Sequence, residues 1–177
     1  MVHIHTKPGQ HDHTVSMFIV RTDEAEPKIM FHLHKKYGVY MQFGGHIELD
    51  ENPSQTLPRE LKEETGYDIS QLKILQPKNA IKNLSGIITH PVPVAYSTHP
   101  VWGYDHSHTD TAFSFVADQK PKHNLEAEES DDIRLFTKKE LLGLPAEKTY
   151  ENGREIALYI LDHVLKEWEQ IPASSIW

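Results

Sequence analysis

Residues 44–67 read GGHIELDENPSQTLPRELKEETGY, and the stretch changes character twice. It opens on two glycines, passes through an acidic loop and closes on a short charged segment that ends at Gly66. Asn52 suits a helix N-cap, Pro53 the first helical position and Gln55 the third, a variant capping box. Gly66 supplies the usual left-handed stop. Pro58 falls inside the helix, lacks the donor for the Ser54 carbonyl and disfavours helical geometry at Leu57. This predicts a kink, or a helix that restarts at Pro58. On such a helix Glu60, Glu63 and Glu64 stand at i, i+3 and i+4 and share one face. Leu57 and Leu61 point to a neighbouring face that enters the core, and Arg59 can pair with Glu63 one turn on.

A run of charges on a helix is most often a solvated face. Here like charges one turn apart oppose the helix, and they follow directly on a Gly-Gly turn. Hard oxygen ligands converging on one spot are what Mg²⁺ or Mn²⁺ requires. Such ions beside a phosphate chain neutralise charge and activate water. Gly45, with no side chain, lets a backbone carbonyl reach the same cluster.

On either side of this stretch the sequence alternates between strands and turns. TVSMFIVR (14–21), KIMFHLH (28–34), VYMQF (39–43), part of QLKILQPKNAI (71–81), TAFSFVA (111–117) and IRLF (133–136) read as strands. Residues 1–13 read as a flexible N-terminal arm, and 90–110, with its prolines, aromatics and histidines, as a partly irregular loop. Thr137 and Glu140 form a capping box. Residues 151–170 read as a C-terminal helix with Ile156, Tyr159, Ile160, His163, Val164 and Trp168 on one stripe. Strands in runs with helices between them predict an α/β (α+β) domain with a mixed sheet flanked by helices. The length favours one domain over residues 1–177.

The chain carries 26 acidic against 18 basic residues. That excess argues against a long nucleic-acid partner and leaves room for a nucleotide whose charge is met by metal ions. There is no cysteine, which excludes disulfides and thiolate catalysis. The absence of a signal-like segment and of a membrane-length apolar run predicts a cytoplasmic protein with no membrane partner.

Gly45, five residues, Glu51, seven residues, then RELKEETGY (59–67) is similar to the signature of the Nudix hydrolases. Tyr67 departs from it, where the family has an aliphatic residue, and Pro58 stands where a helix former is usual. The late EESDDIRLFTKKEL also resembles the family. The resemblance implies a Nudix-like α/β/α sandwich and hydrolysis of a nucleoside diphosphate linked to another group X. It implies Glu60, Glu63, Glu64 and the Gly45 carbonyl as ligands of Mg²⁺ or Mn²⁺. It implies Arg59 as the residue that steers the glutamates, and Glu51 as a supporting carboxylate. Glu60, Glu63 and a glutamate of the 126–129 loop are candidates for the base that takes the water's proton, with Glu60 preferred and Glu129 read as an accessory acid. A catalytically inactive nucleotide sensor on the same fold is the alternative.

His106, His108 and Asp110 alternate along a would-be strand and could chelate a transition metal. A packing or substrate-contacting role for these histidines is the reading preferred. His3, His5, His11 and His13 are a second such set, read as part of the arm. Tyr96, Trp102 and Tyr104 lie where aromatics either stack on a base or pack on the body, and Tyr96, Trp102 and His108 are taken as substrate candidates. The downstream proline that marks ADP-ribose hydrolases is missing, as are the marks for coenzyme A and NADH substrates. The C-terminal helix and the end SSIW offer a surface for a homodimer contact.

Overall fold

The computed structural model describes residues 6–125, 130 and 132–176. Among these, one mixed sheet contains β1 (His11–Arg21), β2 (Lys28–Leu33), β3 (Tyr40–Met41), β4 (Phe43–His46), β5 (Lys73–Gln76), β6 (Ala95–Pro100), β7 (Ser107–Ala117), β8 (Ile133–Phe136) and β9 (Glu169–Pro172). The helices are α1 (Pro53–Thr65), α2 (Lys138–Gly143) and α3 (Glu151–Tyr159), the last continuing through a π-helical stretch, Ile160–Val164, to Glu167. No helix among the described residues is long and apolar enough to cross a membrane.

β1 and β7 are the axis of the sheet. They pair in parallel along their whole length, from His11 opposite Ser107 to Arg21 opposite Ala117. Each exchanges its other neighbour midway. β1 pairs with β4 over Thr14–Met17 and with β2 over Ile19–Arg21. β7 pairs with β6 over Ser107–Ala112 and with β5 at Phe115 and Val116. The sheet therefore forks at the N-terminal ends of its two central strands, with β4 on one side and β6 on the other.

Alternation along β1 sends its side chains to two cores. Val15, Met17 and Ile19 join Phe113 and Phe115 beneath Leu57 and Leu61 of α1. Phe18 and Val20 join Phe31 and Val116 beneath Ala157, Ile160 and Val164. Helices thus cover both faces of a mixed sheet, the expected α/β/α sandwich.

The caps of α1 form as expected. Asn52 Oδ1 accepts from the Ser54 amide at 3.0 Å and Gln55 Oε1 from the Asn52 amide at 3.0 Å. Gly66 closes the helix at φ 71°. Pro58 does not make it restart: α1 is a single helix of 13 residues. Fully buried Leu57 and Leu61 anchor it on either side of the proline, so packing outweighs the one hydrogen bond that Pro58 cannot give. Tyr67 is fully buried, and its hydroxyl donates to the Gln119 carbonyl at 2.6 Å. Burial pushes that phenol up to about 12.

Three expectations change. Strand β1 starts at His11 rather than Thr14, so His11–His13 belong to the sheet rather than to an arm. Most of the 90–110 segment is the β6–β7 hairpin rather than an irregular loop. On the C-terminal helix the buried stripe is Ala157, Ile160, Leu161 and Val164, while Tyr159 and His163 face solvent. The small Ala157 hid the true phase of that stripe. Beyond it, β9 was not legible, because Pro172 at a sheet edge interrupts a run that already has little apolar character.

Candidate active site

The fork between β4 and β6 opens into a cleft of about 990 Å³, the upper end of the range usual for small-molecule sites. β1 contributes Thr14 and Ser16, β4 the Gly44–His46 segment, β6 Ser97 and His99, and β7 His108 and Asp110. Glu64 reaches the lining from α1.

Arg59 resolves the crowding of charge on α1. Its Nε and Nη2 each lie 2.9 Å from one oxygen of Glu51, a bidentate pair. Its Nη1 reaches Glu60 Oε1 at 2.7 Å and Glu63 Oε2 at 3.3 Å. One guanidinium therefore holds three carboxylates, and the cluster keeps a surplus of negative charge. Thr56 Oγ1 also donates to Glu51 at 2.9 Å. The Arg59 hydrogen bonds, with help from Thr56, hold the Glu51 carboxyl down at about 2. Glu64 is held separately, its Oε2 accepting from the Gly44 amide at 2.7 Å.

Both glycines are required by contact. A Cβ on Gly45 would stand 2.2 Å from Glu60 Oε1, and one on Gly44 would stand 2.1 Å from the Val15 carbonyl oxygen, at φ 145°. Glu60 and Glu64 are almost wholly buried, so their charge lies at the junction of β4 and α1 rather than in open solvent. Carboxylates in excess of their one arginine, packed on a side-chain-free backbone, suit a hard divalent cation.

Of the residues singled out in the sequence, Arg59, Glu60 and Glu63 are brought together and Gly45 lies against Glu60. Trp102 and His108 line the cleft. Trp102 is 84% exposed, and with Lys36, Tyr37 and Tyr150 it borders a side hollow of about 290 Å³. Tyr96 is not among the lining residues. Its strand neighbours Ser97 and His99 line the cleft, and alternation turns Tyr96 to the other side. Glu129 lies outside the described residues.

Two further residues line the cleft: Asp110, part of the alternation noted in the sequence, and His32, which nothing local in the sequence marks. Asp110 is buried, accepts from Thr14 Oγ1 at 2.7 Å and has its carboxyl pushed upward by burial. His32 packs its ring 4.9 Å from that of Phe43, and its Nδ1 is buried with no hydrogen-bond partner among the described residues. Burial, with the charge of His34, pushes the His32 imidazole down to about 4. Its folded value is thus below the unfolded one of roughly 6.5, so the unfolded chain binds more protons between them. Stability from this group is fully present above pH ~6.5 and is lost as pH falls toward 4. His32→Leu is expected to reduce the loss of stability between pH 7 and pH 5 by about 2 kcal/mol, measured by urea unfolding at both pH values. Parallel losses in wild type and variant would refute the assignment.

The chain matches the family described as NUDIX domain over residues 10–159. Among solved structures it resembles a hydrolase of the NUDIX family from Clostridium perfringens, with 30% identity and a TM-score of 0.70 over 85% of this chain and 96% of that one. It resembles in fold the NUDIX domain of Shewanella oneidensis NrtR complexed with ADP-ribose, with 13% identity and a TM-score of 0.59 over 86% of each chain. A C. elegans Ap4A hydrolase is similar at 12% identity and a TM-score of 0.57, over 82% of this chain and 92% of that one. No curated protein matches the sequence.

Proposed function

The chain belongs to the Nudix family of hydrolases, and from that premise we propose that it cleaves the pyrophosphate bond of a nucleoside diphosphate linked to a second group, with Mg²⁺ or Mn²⁺. The observation that carries the reading is the Arg59-gathered set of Glu51, Glu60 and Glu63 packed on Gly45, with Glu64 reaching a cleft of nucleotide size. Glu60, Glu63, Glu64 and the Gly45 carbonyl would hold the ion. When bound there, the metal supplies positive charge to phosphate oxygens and lowers the pKa of water.

The residues of this chain do the rest. Arg59 fixes the directions of Glu60 and Glu63, so the carboxylates do not recoil from one another. Glu60 is the proposed base: as the water oxygen bonds to phosphorus, its proton passes to the carboxylate and the bridging P–O bond breaks. One product is a nucleoside monophosphate, and the other is the second group carrying the remaining phosphate. Trp102, Tyr37 and Tyr150 offer aromatic faces to a base or to the second group. Solved structures of similar fold include an Ap4A hydrolase and a UDP-X diphosphatase, which supports a nucleotide-type small molecule as the substrate class.

The test is a panel of ADP-ribose, UDP-sugars, dinucleoside polyphosphates and nucleoside triphosphates in isotopically labelled water. The expected result is turnover of at least one compound with Mg²⁺ or Mn²⁺, label in a phosphate product, and loss of activity with chelator. Tight binding seen by calorimetry with no turnover across the panel would make the chain a nucleotide sensor instead.

A further inference from the structure

The fork of the sheet gathers a second set of ligand-type side chains apart from the glutamates of α1. Asp12 on β1 is the register partner of His108 on β7, and Thr14, two residues along β1, is the partner of His46 on β4. Side chains two apart on a strand share a face. Asp12, His46 and His108 therefore converge from three adjacent strands onto one face at the fork.

Their ligand atoms all lie within 4.8 Å of one another. His46 Nε2 and His108 Nε2 are 3.2 Å apart, and His46 Nε2 and Asp12 Oδ2 are 3.7 Å apart. A tetrahedral ion with bonds of about 2.0–2.1 Å holds its ligands roughly 3.3 Å from each other. The observed spacing brackets that value, so a small closing motion would complete the set. Two imidazoles with one carboxylate form a borderline donor set, suited to Zn²⁺ and its neighbours rather than to Mg²⁺.

Asp12 and His46 are buried, and Thr6 Oγ1 donates to Asp12 Oδ2 at 3.3 Å, which orients the carboxylate as partners of ligands commonly do. His106 brings Nε2 to 3.6 Å from the same Asp12 oxygen and flanks the set, whose mutually close ligand atoms are those of Asp12, His46 and His108. Asp110, which shares the His106–His108 alternation in the sequence, is instead engaged by Thr14.

We propose that Asp12, His46 and His108 form a Zn²⁺-class transition-metal site at the forked end of the sheet. His46 and His108 line the cleft, so the ion faces the substrate space and offers an anionic group of the substrate a second positive charge. The site is separate in its ligands from the α1 carboxylates, although His46 follows Gly45 directly.

The experiment uses the full chain without a histidine tag, stripped of metal and titrated with Zn²⁺ by calorimetry and by competition with a chromogenic chelator. One equivalent per chain is expected. His108→Ala is expected to weaken binding by at least ~10-fold, whereas Glu63→Gln leaves it unchanged. Should His108→Ala not fold, the wild-type protein loaded with Co²⁺ decides: visible bands of a four- or five-coordinate histidine-ligated ion support the site. No stoichiometric Zn²⁺ uptake by folded protein, or uptake lost in Glu63→Gln and kept in His108→Ala, overturns the proposal. Because the readout is metal uptake, failure here leaves the pyrophosphohydrolase reading standing, and failure of the substrate panel leaves this one standing.

Discussion

Glu60→Gln is expected to lower kcat by roughly 10²–10⁴-fold, the range for losing a positioned base, while the protein remains folded. Glu60 is almost wholly buried, and its Oε1 occupies the space that a side chain on Gly45 would need. The amide has the same shape, so the packing of α1 on β4 survives. Arg59 keeps its bidentate hold on Glu51 and its contact with Glu63, so no buried cation is left without a partner. What disappears is one negative charge and one proton acceptor. If Glu60 only holds metal, raising Mg²⁺ should recover most of kcat. If it takes the proton, the deficit persists at saturating metal. Steady-state kinetics across a metal series separates the two. Wild-type kcat in Glu60→Gln at every metal concentration would remove Glu60 from the mechanism.

The helix that carries this residue was legible because everything that defines it is local. Asn52, Gln55 and Gly66 set its ends, and the spacing of Glu60, Glu63 and Glu64 follows from 3.6 residues per turn. The Thr137–Glu140 box and the strand at 133–136 were legible for the same reason. The fork was not. It depends on β1 pairing with β7 in register across more than ninety residues, from His11 to Ser107, and no spacing in the sequence records that. The alternation of His106, His108 and Asp110 was visible, but its companions Asp12 and His46 come from other strands. Prolines and polar residues also made 90–110 look irregular, although Pro100 ends β6 and Pro91 and Pro93 precede it. The C-terminal helix is legible in the sequence but its phase is not, because the larger Tyr159 outweighs the small buried Ala157 in any apolar pattern.

Arg59→Ala is expected to cost roughly 3 kcal/mol of stability at pH 7 in chelator-containing buffer, the low end for leaving a buried charge, here the Glu60 carboxylate, without its partner. For a domain of this length that is about 6–12 °C in Tm. The argument rests on what the arginine leaves behind. Glu51, Glu60 and Glu63 lose their shared cation, and Glu60 cannot turn to water because Gly45 packs over it. The sign of the pH dependence follows from Glu51, whose carboxyl Arg59 holds at about 2 against an ordinary 4.5. A depressed carboxylate contributes stability that is present above pH ~4.5 and lost as pH falls toward 2. That contribution is at most about 3 kcal/mol, and screening at the partly open arginine reduces it. In Arg59→Ala it is already absent, and protonation relieves the repulsion instead. The difference in Tm between variant and wild type should therefore be large at pH 7 and shrink at pH 3–4. Added Mg²⁺ or Mn²⁺ should recover part of the loss at pH 7, since a cation bound by the same carboxylates replaces the missing charge. Thermal melts at both pH values, with and without metal, measure all of this. An equal Tm deficit at pH 7 and pH 3.5, untouched by metal, would show that Arg59 acts through packing alone.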